Sequence, residues 1–326
     1  MASQRELELI QASAAGNLER MRVLFGRGAK INARLKNGTT PLLAAVVAGR
    51  VDAVQLLLVQ GADLKTRYQE DATVLVMAAT QGHAAVVRLL LQHGANPSEH
   101  TRSGVTPLLA AAIAGHAEVV DALVTAGADP NHPDPRGVTP LLGAAVNGHT
   151  EVVCTLVSGG ADVNRRAASG LTALSAAVAA GTQAVGFVLL EHGADPDCAD
   201  ENGRPLLASA AAAGSTEMMA LLLDRGAKID TVDPAGVNAV LAATLAGQAE
   251  ALKMLLDRGA NPNASGDGSI TPLIAAIVRG LPEMVEILLN AGADVDQRTA
   301  GGVTALEAAE AGGQLEIAER LKSAHT

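Results

Sequence analysis

The chain of 326 residues is 48 % hydrophobic but only 1 % aromatic, with no Trp, one Tyr (Tyr68) and two Phe (Phe25, Phe187). An ordinary globular core fills its volume with bulky rings, so this composition predicts a thin core of Ala, Leu and Val in an elongated molecule. The net charge of −10 argues against nucleic acid or an anionic membrane as partner, because both reward a surplus of Lys and Arg.

The opening stretch, MASQRELELIQ, lacks the basic flank and continuous apolar core of a secretory leader. No apolar run approaches the 18 or more residues that a membrane span needs. The expectation is a soluble cytoplasmic protein. From here the sequence is periodic. Gly-Ala pairs begin at Gly28, Gly61, Gly94, Gly127, Gly160, Gly193, Gly226, Gly259 and Gly292, each 33 residues after the last. A second ladder runs from Gly16 to Gly313, a third from Ala12 to Ala309 and a fourth from Leu24 to Leu321, all in the same register. Four unbroken ladders mark ten copies of one unit without insertions.

Taken along the chain, the first unit begins with charged residues, SQRELELIQ, as a polar terminal cap of a stack should. Thr40-Pro41, Thr106-Pro107, Thr139-Pro140 and Thr271-Pro272 each set an N-cap hydroxyl before a proline at the first helical position, where the missing N–H costs nothing. The alanine ladder falls in the middle of that first helix, where a methyl lets neighbouring helices approach. The Gly16-to-Gly313 ladder ends it with a residue tolerant of positive φ. A second helix follows, with apolar residues at helical spacing, as in Val119, Val120, Leu123 and Val124. The third unit has Asp71 where a turn glycine belongs and the seventh has Pro205 in place of the capping Thr; both predict local irregularity. Asn238 in the eighth is a good cap. The last unit carries Glu307, Glu310, Glu316, Glu319 and Lys322 at positions that are mostly apolar in inner units. It reads as the closing cap.

The stretch GVTPLLAAAIAGHAEVVDALVTAGADPN resembles the ankyrin repeat almost position by position, and the resemblance covers essentially the whole chain. It implies an all-α solenoid of stacked helix–turn–helix units, with β-turn fingers that line a concave face together with the first helices. The expectation is a single domain over 1–326: an N-terminal capping repeat at 1–33, eight internal repeats at 34–299 and a C-terminal capping repeat at 300–326. One departure stands out. The family's usual His after T-P-L, which bonds between units, is replaced by Leu43, Val76, Leu109, Leu142, Ser175, Ala208, Leu241, Ile274 and Glu307, so apolar contact is expected in its place.

Chemistry is hard to find. His83, His116 and His149 lie one repeat apart. Stacked helices stand about 10 Å apart, too far for a shared metal with bonds of about 2 Å. His93 and His192 fall at ends of second helices, where a cation suits the helix dipole; His100 and His132 fall in fingers and His325 at the terminus. Cys154 and Cys198 have no spaced partner of metal-site type, and two cysteines make no disulfide framework. No phosphate loop, nucleophile elbow or zinc-protease motif occurs. Asn37-Gly38-Thr39 and Asn263-Ala264-Ser265 fit a glycosylation triplet but read as turns. The expectation is no enzyme, no cofactor and no metal.

Function then belongs to residues that vary at fixed repeat positions. One row closes the inner helices: Val47, Thr80, Ile113, Val146, Ala179, Ala212, Leu245 and Val278. It is unusually apolar, either because curvature buries it or because it floors a groove for a partner's helix or extended segment. The second row is the fingers. From residue 32 to 171 they carry Arg34, Lys36, Lys65, Arg67, Arg102, Arg136, Arg165 and Arg166 against Glu70, Asp71, Glu99 and Asp134. From 197 to 303 the balance reverses, with Asp197, Asp200, Glu201, Asp230, Asp233, Asp267 and Asp296 against Arg204 and Arg298. Such a rim is either plain solvated surface or a device that orients a partner. Tyr68 sits among the basic residues, and Tyr and Arg are enriched at interface hot spots. The leading reading is a monomeric scaffold or adaptor that binds a partner protein or peptide with an acidic flank. The alternatives are a designed or consensus-like repeat protein without a native partner, and an inhibitor that blocks a partner enzyme.

Overall fold

The structure, a computed structural model, describes residues 3–264 and 270–324. Ser265, Asp267 and His325, with the side chain of Glu70, lie outside the described residues. The chain divides into two compact units, residues 1–168 and 169–326.

In the first unit the inner helices are α1 (Gln4–Ala15), α3 (Pro41–Val47), α5 (Val74–Thr80), α7 (Pro107–Ala114) and α9 (Pro140–Val146). Each is followed by an outer helix: α2 (Leu18–Gly26), α4 (Val51–Val59), α6 (Ala84–Gln92), α8 (Ala117–Thr125) and α10 (Thr150–Ser158). Every inner helix packs on the next inner helix and on its own outer partner, and the outer helices pack in the same order. The second unit repeats the plan. Its inner helices are α11 (Ala173–Ala180), α13 (Leu206–Ala212), α15 (Ala239–Ala246), α17 (Pro272–Val278) and α19 (Ala305–Ala311). Its outer helices are α12 (Gln183–Glu191), α14 (Thr216–Asp224), α16 (Ala249–Asp257), α18 (Pro282–Asn290) and α20 (Leu315–Ala324). Each unit is therefore an all-α, two-layer repeat stack. Among the described residues, β pairing is limited to one isolated bridge, Ala199 to Pro205.

The local chemistry matches the sequence ladders. Thr40, Thr106, Thr139 and Thr271 accept hydrogen bonds from the amides of Leu43, Leu109, Leu142 and Ile274 at 3.1–3.2 Å. Each has Pro at the start of the helix it caps. The glycine that ends each first helix turns left-handed, as at Gly115 with φ +82°. The alanine and leucine ladders form the two halves of each core: Ala45, Ala78, Ala111 and Ala144 beside Leu57, Leu90, Leu123 and Leu156, all wholly buried. A buried leucine contributes roughly 1.5–3 kcal/mol, while the alanines set how closely inner helices approach.

Both expected irregularities appear. Asp71 adopts φ +61° where the equivalent glycines, Gly38 and Gly104, are left-handed, and the finger winds into a short 3-10 turn at Gln69–Asp71. Helix α13 has no side-chain cap at Pro205. The finger there closes through the Leu206 amide to the Cys198 carbonyl at 3.3 Å and the Ser209 hydroxyl to Asp200 at 3.0 Å. Asn238 caps α15 through the Leu241 amide at 2.8 Å. The glutamates of the last repeat and Lys322 are exposed.

Between repeats, the residues that replace the family's histidine are buried, from Leu43 to Ile274, so apolar contact is present. A polar link also exists, at another position. His83, His116 and His149 donate Nε2–H to the carbonyls of Val47, Thr80 and Ile113 in the preceding repeat, at 3.0, 3.1 and 3.0 Å. A carbonyl can only accept, which puts the ring proton on Nε2. Each ring also covers the preceding left-handed glycine so closely that a Cβ on Gly49, Gly82 or Gly115 would lie within 2.8 Å of it. Arg50, Gln248 and Gln314 make the same kind of link, to the carbonyls of Ala14, Ala212 and Ile277. The links satisfy carbonyls that every helix leaves orphaned at its C-terminus.

Candidate functional site

Most of the apolar row is exposed. In the first unit Val47, Ile113 and Val146, at the C-terminal ends of α3, α7 and α9, are 38, 40 and 50 % accessible. Thr80 is exposed at the same station of α5, and its hydroxyl donates to the Val76 carbonyl at 2.9 Å. The reading in which curvature buries this row does not hold for these side chains. The row is continuous with the fingers: one turn back lie Met77 and Ala110, which pack with Ala72 and Val105 at the finger bases. Gly143 on α9 leaves room for its neighbour, since a Cβ there would lie 2.8 Å from Ile113 Cγ1. In the second unit Val278 is 65 % accessible, while Leu245 is half-buried.

The basic fingers of the first unit separate into two groups. Arg34 and Arg67 brace one finger to the next: Arg34 Nη2 donates to the Arg67 carbonyl at 2.6 Å, and Arg67 Nη1 to the His100 carbonyl at 3.3 Å. Arg67 also pairs with Glu99 at 3.3 Å. Tyr68 is half-buried, with its ring against Gly38. Apart from Arg136, the other finger cations lie at the surface. Lys36, Arg165 and Arg166 are exposed; Arg102 is 76 % accessible, with Asp71 at 3.9 Å.

Asp134, counted from the sequence as a rim charge, is not one. Its side chain is only 3 % accessible, and it accepts the amides of Arg136 and Val138 at 2.9 and 2.8 Å. Asp200 and Asp233 hold their own turns in the same way. These carboxylates are turn-formers, which sequence counting cannot distinguish from solvated charges. Arg136 lies across Asp134, with Nε and Nη2 both at 3.1 Å, so much of its charge is matched within its own finger.

Other candidates are structural. Cys154 is exposed on α10; Cys198 is buried in its finger, 3.6 Å from the Thr172 hydroxyl. Asn37 accepts the Thr39 amide at 3.1 Å as a turn residue. Among the described residues no group of three or more His, Cys, Asp or Glu could hold a metal, and no helix is long and apolar enough to cross a membrane. One cleft of about 390 Å³ is bordered by Asp63, Lys65, His93 and Glu99. Its carboxylates are engaged: Asp63 accepts from the Lys65 amide and the Thr66 hydroxyl, and Glu99 pairs with Arg67. Two ionisable groups with shifted pKa values lie away from the row. Glu250 bonding holds Lys253 above the usual lysine range, and bonds from Thr304 hold Glu307 below the usual carboxylate range.

A family model for ankyrin repeats (3 copies) matches residues 9–101, 95–167, 141–233, 173–266 and 240–325. Comparison with curated proteins finds no match. Ankyrin repeats are generally protein–protein interaction modules. The paired short helices, left-handed glycines and finger turns are what that repeat requires, and the model matches span nearly every residue: the chain belongs to the ankyrin-repeat family.

Proposed function

We propose that the chain is a monomeric, cytoplasmic scaffold or adaptor rather than an enzyme, acting without a cofactor as one ankyrin-repeat domain with capping repeats at 1–33 and 300–326. It takes a partner segment with an acidic flank on the face between the apolar row and the finger tips of residues 3–168. The observation that supports this most directly is the exposure of Val47, Ile113 and Val146 in one register, beside fingers whose outward groups include Lys36 and Arg102. Apolar contact supplies area, and exposed cations guide approach more than they hold the complex. Arg34, Arg67 and Tyr68 shape the rim.

Affinity capture followed by kinetic binding at two salt concentrations tests the reading. Lys36→Glu with Arg102→Glu should slow association and flatten its salt dependence, because charge attraction is screened beyond about 8 Å at physiological salt. Val146→Asp should speed dissociation. If a captured partner shows neither effect, the face is not its site, and the outer helices become separate candidates, α10 at Cys154 in the first unit and α12 at Phe187 in the second.

A further inference from the structure

We infer that the segment this face takes is an amphipathic α-helix laid across the inner helices of residues 3–168, with an apolar side chain about every seventh residue and carboxylates on the flank that meets Lys36 and Arg102. The inference rests on the binding function proposed above and deepens it.

Backbone hydrogen bonding favours a helix over an extended strand. An extended segment carries a free N–H and C=O at nearly every residue and needs main-chain partners along its course. Here the carbonyls beside both edges of the face already accept. On the row, those of Val47, Thr80 and Ile113 take the Nε2–H of His83, His116 and His149. On the fingers, those of Arg67 and His100 take the guanidinium groups of Arg34 and Arg67, and that of Arg136 takes the Ala168 amide. The finger turns close on themselves, as from the Leu35 amide to the Thr39 carbonyl and from Thr101 to Val105, both at 3.0 Å. A helix satisfies its own backbone and asks the surface only for apolar contact and charge.

Dimensions and charge agree. Packed helices repeat about every 10 Å, and a helix rises 1.5 Å per residue, so one apolar side chain per repeat means about one in seven. An inner helix of seven residues is about 10 Å long, close to the 10–12 Å width of a helix with its side chains. A helix lying on Val47, Ile113 and Val146 therefore reaches toward the fingers with one flank. Opposite Thr80, between Val47 and Ile113, its heptad should carry a small or polar residue. Carboxylates on the finger flank complement the exposed Lys36 and Arg102.

Two display libraries of about 28 residues, four repeats at about seven residues each, test this against the full-length protein. One is randomised along one face of a stable helix; the other is linear with interspersed prolines. The expected result is enrichment from the helical library alone, with Leu, Ile or Val at a seven-residue period and Glu or Asp on one flank. Binding of those clones should weaken by at least about tenfold, or 1.4 kcal/mol, in Ile113→Asp, whose circular dichroism shows whether the stack stays folded. Val146→Asp provides an independent second variant. Enrichment from the linear library alone, lost in Ile113→Asp, overturns the helix and leaves the binding face. Clones that retain affinity in both variants, or no enrichment from either library, overturn the helix and the face together.

Discussion

Replacing Gly115 by alanine should destabilise the first unit more than replacing Gly127, although both glycines are left-handed, at φ +82° and +87°. Alanine in that region costs about 1–2 kcal/mol at either site. The entropy it removes from the unfolded chain, roughly 0.4–1 kcal/mol, is common to both and cancels in the comparison. The surroundings differ. Around Gly127 nothing lies within 4 Å of the added Cβ, whereas at Gly115 the Cβ would lie 2.7 Å from His149 Cε1. The ring must move, and the 3.0 Å bond from His149 to the Ile113 carbonyl is lost. A neutral hydrogen bond contributes about 0.5–1.5 kcal/mol, so Gly115→Ala should fall below Gly127→Ala by about 1 kcal/mol. Urea unfolding of both variants, with amide exchange of α7 and α8 to localise the effect, measures the gap. His149→Ala should remove most of it, since the obstructing ring is gone in either background. Equal stabilities for Gly115→Ala and Gly127→Ala would show that the histidine link contributes nothing, and the reasoning about inter-repeat bonds would fail.

Ala144→Leu should lose about 1–3 kcal/mol by overpacking a wholly buried position; near-wild-type thermal melting would show that the alanine ladder is not at a tight contact. Asp71→Gly should stabilise the third repeat by about 0.5 kcal/mol, because relief of a left-handed non-glycine, about 1–2 kcal/mol, exceeds the roughly 0.4–1 kcal/mol of unfolded-chain entropy that glycine adds and the loss of an exposed ion pair at 3.9 Å; unchanged urea unfolding would refute this. Glu307 accepts the Thr304 amide at 2.8 Å, and that bond holds its folded pKa below the ordinary 4.5. Its contribution is therefore present above pH 4.5 and is lost as pH falls through the lower folded value. Amide protection in α19, taken relative to the intrinsic exchange rate at each pH, should fall with acid over that window and much less so in Glu307→Gln; identical profiles would show that the bond from the Thr304 amide to Glu307 does not hold the start of α19.

The repeat, its helices and its caps were legible in the sequence because they rest on local chemistry. Thr-Pro starts a helix, glycine ends it, and a 33-residue period places Ala144 and Leu156 in the core without reference to anything distant. Asp71 and Pro205 announced their irregularities for the same reason. The candidate face was legible only as a list of variable positions. Whether Ile113 is buried or exposed depends on how neighbouring helices stack and on the room left by Gly143, which no local rule supplies. Charge was the least legible part. Asp134 and Lys36 count equally in a sequence, but the folded finger turns the carboxylate inward onto two amides while the ammonium-bearing chain stays in solvent. Arg67 reads as a free cation until the next finger brings the His100 carbonyl within reach. The sequence by itself determined the repeating unit, since that unit is held by contacts within a few residues. Only the tertiary structure decided which side chains face a partner, because contacts 33 to 36 residues apart settle which polar groups are already satisfied.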